Sequence, residues 1–170
     1  MIISAEDFRI GMRHLAAGVC IVTARAADGT RSGFTATAVC SVSADPPTLL
    51  VCAHRENGSY DVIRNAGHFA VNILGEEDRE LSNRFASTIV GDARFNRGGW
   101  TQLVSGAPIL ESALASFDCR LVNCIDGGSH SVMFGEIGGL RLGAGNSSAL
   151  LYAHGDYGVF APLRHAPLED

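Results

Sequence analysis

Gly33-Phe34-Thr35-Ala36-Thr37-Ala38-Val39-Cys40-Ser41-Val42-Ser43-Ala44-Asp45-Pro46-Pro47-Thr48-Leu49-Leu50-Val51-Cys52-Ala53-His54 is the stretch on which the reading of this chain turns. It predicts a strand over 31–43, a turn at Asp45-Pro46-Pro47 and an apolar strand from Thr48 to Ala53. A strand of Thr35, Ala36, Thr37, Ala38, Ser41 and Ser43 fills a core poorly. It lets a flat ligand lie close to the backbone, where N–H groups and hydroxyls reach the ligand's polar edge. Taken alone the pattern is open, because small polar strands also occur at sheet edges.

Outward from this block, Ser4-Ala5-Glu6-Asp7 opens a helix, with Phe8, Met12 and Leu15 at helical spacing and Gly18 at its end. Val19 to Ala24 reads as a strand, and Ala27-Asp28-Gly29-Thr30 as a hairpin turn into the 31–43 strand. Ser59 caps a short helix to Asn65 that turns Val62 and Ile63 inward, and Gly67 restarts the sheet at His68 to Leu74. Glu76 to Ser87 is a second helix burying Leu81 and Phe85. Thr88 to Pro108 reads as loop, with Arg94-Phe95 and Trp100 as isolated anchors. Ala113–Ile125, Ser131–Leu142 and Ala149–Phe160 are β-rich, parted by Asp126-Gly127-Gly128 and by Gly143-Ala144-Gly145-Asn146. The fold class is mainly β with helical decorations (α+β), a small β-barrel of six to seven strands. The 170 residues suffice for one domain, 1–170, with a sizeable core.

Composition excludes several functions. A net charge of −5 without a polybasic run gives no footing for nucleic acid. No apolar run approaches the about 20 residues that cross a bilayer, and Glu6 and Asp7 stand where a secretion signal needs base, so the expected place is the cytoplasm. The cysteines number five, an odd count without a CxxC pair, and each sits among apolar residues as a structural thiol. The histidines show no HxxxH or HxH spacing, so no metal is expected. All 13 basic residues are arginine, which rules out lysine Schiff bases and leaves phosphate to arginine, hydroxyls or backbone N–H groups. No GxGxxG occurs, and Gly138-Gly139 and Gly143-x-Gly145 read as turns between strands. No GxSxG elbow occurs either. Ser59 is a helix cap or, with Arg55 nearby, a phosphate contact. His130 stands where a loop enters a strand, a position open between an incidental and a functional role.

A set of signposts in register bears on all of this: Asp7-Phe8-Arg9, Gly18-Val19-x-Ile21-Val22-Thr23, the 33–43 block, Pro46-Pro47-Thr48-Leu49-Leu50-Val51-Cys52 and Ser59. Phe69-x-Val71-Asn72-x-Leu74, Phe85-Ala86, Arg94-Phe95, Trp100, Pro108-x-Leu110, Ala115 to Cys119, His130, Leu150-Leu151-Tyr152 and Tyr157 follow. In these the chain resembles the flavin reductase-like, FMN-binding split-barrel family. Within it the likeness is to the reductase components of 4-hydroxyphenylacetate 3-monooxygenase and pyrimidine-utilisation monooxygenases. It departs from many relatives at Gly128-Ser129-His130 and at Leu15-Ala16-Ala17-Gly18.

The resemblance implies a homodimer with flavin in a groove at the subunit interface. Thr35, Ala36, Thr37 and Ala38 would run along the ring, and Ser41, Val42 and Ser43 with Cys52, Ala53 and His54 would line the ribityl chain. Ser59 and Arg55 would hold the phosphate, Phe85 would cover the ring, Tyr157 would contact the flavin, and His130 would stand by the nicotinamide. The implied activity is hydride transfer from NADH or NADPH to FMN or FAD, with reduced flavin leaving for a separate oxygenase. The alternatives are a barrel with tightly held FMN acting on an organic substrate, and a non-catalytic flavin-binding redox sensor.

Overall fold

The computed structural model describes residues 3–89, 91–144 and 147–162. Its helices are α1 (Ala5–Met12), α2 (Tyr60–Ala66) and α3 (Arg79–Ala86). Its strands are β1 (Ala17–Gly18), β2 (Cys20–Arg25), β3 (Arg31–Ala36), β4 (Val39–Ala44), β5 (Pro47–His54) and β6 (His68–Ile73). They continue with β7 (Trp100–Gln102), β8 (Pro108–Leu110), β9 (Ala115–Gly127), β10 (His130–Leu142), β11 (Leu150–Ala153) and β12 (Asp156–Val159).

The expected 31–43 strand is two strands, and the break decides the architecture. β3 and β4 are the opposite edges of one seven-stranded antiparallel sheet, ordered β3-β2-β6-β9-β10-β5-β4. Only Thr37 and Ala38 join them. Three residue steps span at most roughly 11 Å, so the sheet has to curl until its edges meet. The β4–β5 ladder extends into this crossover, where Cys52 N donates to Ala38 O at 3.0 Å, and β3 comes against β5 beside it.

β2 explains itself by burial on both faces. Cys20, Val22 and Ala24 join Phe34, Val51, Tyr60, Ile63, Phe69, Val71 and Met133 in one core cluster. Val19 and Ile21 turn the other way, to Leu74, Leu81, Phe85, Phe95 and Leu110. Such a strand reads as a continuous apolar run, as Val19 to Ala24 does. A small sheet, β1-β11-β12, and the β7-β8 pair cover the second cluster.

Asn72, fully buried, ties these layers together. Its Nδ2 donates to Ile21 O at 3.1 Å and to Pro108 O at 3.5 Å, while Oδ1 accepts from Leu110 N at 2.8 Å and Ser116 Oγ at 2.9 Å. Thr23 Oγ1 donates to the same Pro108 carbonyl at 2.6 Å. One amide thus pins β8 across β2, β6 and β9.

Other expectations are revised. α1 is capped as expected, Ser4 Oγ accepting from Asp7 N at 3.0 Å, but it ends at Met12 and buries none of its residues. The 76–87 helix begins as a 3-10 turn, Glu76–Asp78, before α3. The 88–108 loop holds a 3-10 turn, Gly91–Asn96, and β7, which pairs with β8. Its anchors are not isolated: Phe85, Phe95 and Trp100 form one aromatic cluster with centroids 4.9 to 5.6 Å apart. The 149–160 segment is a hairpin, β11-β12, turning through His154 and Gly155. Gly138 and Gly139 lie within β10, at an irregularity opposite Asp118, not between strands. Of the turn expected at 143–146, Gly145 and Asn146 lie outside the described residues.

Replacing Asn72 by alanine would strand Leu110 N and Ser116 Oγ in the core and leave the Pro108 carbonyl to Thr23 alone. Urea unfolding is expected to show a loss of about 3 kcal/mol. An unchanged midpoint would mean that packing alone holds β8.

Candidate functional site

Beyond Ala36, which is buried, Thr37 and Ala38 are exposed because two residues spanning an edge-to-edge gap cannot also enter the core. They floor two adjoining grooves. One, of about 420 Å³, is lined by Val19, Thr35, Thr37, Arg79, Asn83, Tyr152 and Tyr157 among others. The second, about 310 Å³, holds Arg9, Met12, Arg13, Thr37, Ala38 and Tyr152. Thr37 and Tyr152 belong to both, so the grooves are continuous along the crossover.

The wall opposite the strand is a hydrogen-bond chain. Thr35 Oγ1 donates to Ser82 O at 2.6 Å. Tyr157 OH donates to Asn83 Oδ1 at 2.9 Å and lies 3.0 Å from Ser82 Oγ. The single phenolic proton is thereby used, so the Ser82 hydroxyl donates to Tyr157. The Tyr152 and Tyr157 rings meet edge to face, centroids 5.3 Å apart.

Beneath the strand, Phe85 is 1% exposed. A Cβ at Gly33 would stand 3.0 Å from its ring and 2.7 Å from Val22 O. Phe85 therefore supports β3 from the core and does not cover a ligand in the groove. Ser59 is also closed off: at 1% exposure, its hydroxyl donates to Gly33 O at 3.0 Å and accepts from Ser32 Oγ at 2.9 Å. It sits at the start of α2 but caps nothing through its side chain. Asn57 Oδ1 instead accepts from Ser59 N at 2.9 Å.

The Gly33 carbonyl also accepts from Arg94 Nη1. Arg94 is buried and donates further to Ser87 O at 3.0 Å and to Ile89 O. It has no ion-pair partner among the described residues. Burial pushes its guanidinium below the ordinary value.

A second cluster forms where β5 and β10 end. His54 pairs with His130 across the ladder, and their rings meet edge to face at 4.8 Å. His130 Nδ1 lies 2.9 Å from Ser129 Oγ. Arg55 N donates to Ser129 O at 3.0 Å, and its guanidinium lies 3.6 Å from Asp126. His54, Arg55 and Ser129, with Tyr60 and Arg64, line a cleft of about 510 Å³. Cys52 stands between this cluster and the crossover, through its bond to Ala38. Ala53 is fully buried and meets neither. Ser41, Val42 and Ser43 are exposed along β4, though the Ser43 hydroxyl donates to Asp45 O at 2.9 Å within the turn.

The structure thus brings Thr35, Thr37 and Tyr157 together in one groove with Ala38 in the adjoining one, and sets His54 and Arg55 in a separate cleft with His130 against the His54 ring. Arg79, Asn83 and Tyr152 had no site role in the sequence reading. Arg79 and Asn83 share a helix face at i, i+4, a signal that carries no meaning until the fold puts β12 beside it. Among the described residues no group of three metal-ligating side chains occurs.

The model of the flavin reductase like domain matches residues 12–161. A protein of Agrobacterium fabrum named FMN reductase (NADH) RutF is 43% identical over 153 residues, 90% of this chain and 87% of that one. Among solved structures, a flavin reductase domain protein from an Arthrobacter species superposes with a TM-score of 0.86 at 31% identity, covering 95% of this chain and 99% of its own. Nitrilotriacetate monooxygenase component B from Mycobacterium thermoresistibile does so at 0.87 and 32%, covering 96% and 90%.

The thiols divide by environment. Burial pushes Cys20 up to about 12, and burial with Asp118 nearby pushes Cys119 up to about 12. Cys40 is exposed beside the crossover. An aromatic disulfide reagent at mildly alkaline pH is expected to modify Cys40 first and to reach Cys20 and Cys119 only on unfolding. Rapid labelling of all five cysteines would contradict this assignment.

Proposed function

The chain belongs to the flavin reductase-like domain family, and we propose that it uses NADH or NADPH to reduce FMN or FAD, releasing the reduced flavin to a separate oxygenase. The observation that carries this reading is the exposed Thr37-Ala38 crossover, a floor of small residues walled by tyrosines. Such a floor admits a flat ring against the backbone and offers it peptide groups and hydroxyls. Flavin, when bound, supplies the chemistry, accepting hydride at N5 from nicotinamide C4. The protein's part is to bind, orient and exclude water, which fits a groove without a paired general acid and base.

In this reading Thr35, Thr37 and Ala38 bear the ring, and Cys52 and His54 continue its path toward Arg55. His130, held by Ser129 and edged against His54, orients the nicotinamide. A second copy of the chain is the proposed lid. Val42, Val122, Ile125, Leu140 and Leu142, spread along β4, β9 and β10, are 42 to 70% exposed, apolar side chains that self-association would cover. No helix among the described residues is long and apolar enough to cross a membrane, and the cytoplasm is the proposed location.

The test is oxidation of NADH and NADPH with and without added FMN, FAD or riboflavin. Turnover is expected to require free flavin and to saturate with it. Flavin that stays bound through dialysis and turns over with an organic substrate would favour the substrate-oxidising alternative. Flavin binding without nucleotide turnover would leave a sensor. His130→Ala is expected to raise the KM for NADH by about tenfold with the flavin KM unmoved, the loss of one good hydrogen bond. Equal kinetics in the two proteins would remove His130 from the site.

A further inference from the structure

The cleft where β5 and β10 end carries chemistry that the crossover groove does not use. Its volume of about 510 Å³ falls within the roughly 300 to 1,000 Å³ of small-molecule sites. Both signs of charge line it, Arg55 and Arg64 with Glu56 and Asp61. Arg55 is already engaged, its guanidinium 3.6 Å from Asp126 and donating to the Gly128 carbonyl at 3.5 Å. Arg64 is not. It forms no ion pair among the described residues, although Asp61 precedes it by three positions on α2.

What holds Arg64 is an aromatic plate. Its Cζ lies 5.7 Å from the centre of the Tyr60 ring. Tyr60 is buried, and its OH lies 2.8 Å from Ser131 Oγ. The Ser131 proton goes to Asp126 Oδ1 at 3.0 Å, so the phenol donates to Ser131 and the ring is fixed at both ends. A guanidinium laid on a fixed ring, with no carboxylate against it, presents a planar fork to a phosphate.

The same cleft adjoins the place proposed for the nicotinamide. His54 lines it and meets the His130 ring at 4.8 Å. Ser129 lines it too, with Oγ 2.9 Å from His130 Nδ1. A ligand that starts at His130 and runs into the cleft therefore meets a guanidinium and two carboxylates. The part of a pyridine dinucleotide beyond its nicotinamide riboside offers the matching groups, a diphosphate and a ribose with two neighbouring hydroxyls. A guanidinium pairs with the first. A carboxylate accepts from the hydroxyls and repels a phosphate placed on one of them.

We propose that this cleft seats the adenosine diphosphate half of the pyridine dinucleotide, with Arg64 on the diphosphate and Glu56 and Asp61 around the ribose hydroxyls, and that it thereby selects NADH over NADPH. This rests on the reductase reading for the nicotinamide at His130. The dinucleotide then lies extended across the ends of β5 and β10, and only its nicotinamide approaches the flavin.

Equilibrium binding of ADP-ribose and of 2′-phospho-ADP-ribose tests the cleft without turnover. The proteins compared are the intact chain, Arg64→Ala, and the double variant Glu56→Gln with Asp61→Asn, all at exposed positions. Arg64→Ala is expected to weaken ADP-ribose by about tenfold. The intact chain is expected to bind the 2′-phospho compound about tenfold more weakly than ADP-ribose, and the double variant to narrow that gap to about threefold or less. Such a gain is not a product of damage to the fold. ADP-ribose affinity within about twofold of the parent in Arg64→Ala would overturn the site. So would an intact chain that binds the two probes equally, or binds neither at about 1 mM. Binding through Arg64 in a chain that oxidises no NADH would keep the site and sink the reductase reading. NADH turnover whose KM ignores Arg64→Ala would do the reverse.

Discussion

Two residues, Thr37 and Ala38, must cross from one edge of a seven-stranded sheet to the other, and most of the molecule follows from that constraint. The crossing forces the sheet to close. It also leaves a short piece of backbone outside the core, without large side chains, at the seam between β3 and β5. The grooves on either side of Tyr152 exist because the seam stays narrow. A bulkier sequence here would fill the floor, and a longer connection would let the edges part.

A seam of this kind needs its edge strand held in place, and the residues around Gly33 do so. Edge strands present unpaired carbonyls. Here Gly33 O accepts from Arg94 on one side and from Ser59 on the other. Arg94 brings a buried positive charge whose partners among the described residues are backbone carbonyls. Burying such a charge is costly unless its donors are satisfied, and three carbonyls from two segments satisfy them. The arrangement joins the 87–95 segment, β3 and the start of α2 behind the groove. Phe85, packed under Gly33, completes the support. The residues nearest the groove in sequence terms are therefore partly structural, and the groove's walls come from α3 and the β11-β12 hairpin.

How much of this was legible in the sequence depended on the range of the interaction. β2 was readable because burial on both faces leaves an unbroken apolar run, and the Asp28-Gly29 turn because its chemistry is local. The break at Thr37 was not, since Thr-Ala-Thr-Ala-Val has the same alternation whether the strand continues or changes edges. β7 was missed in the 88–108 segment because three-residue strands carry no period, and its partner lies eight residues on. Phe85 and Ser59 have the right chemistry for a ligand but face inward, a matter of helix rotation that neighbouring side chains decide. Arg79 carried no sequence signal at all; it joins the groove only because the fold sets Tyr157, more than seventy positions away, beside it. The family likeness singled out Thr37 and Ala38, which line the grooves, and said less about the residues around them.

The most direct measurement of the central claim is backbone amide chemical-shift mapping during titration with FMN. The account predicts that the largest shifts fall on Thr35 to Ala38 and continue to Cys52 and His54, with smaller ones along α3 and the β11-β12 turn. Shifts concentrated around Tyr60, Asp61 and Arg64, with the crossover unmoved, would contradict it and place the flavin in the cleft at the far ends of β5 and β10.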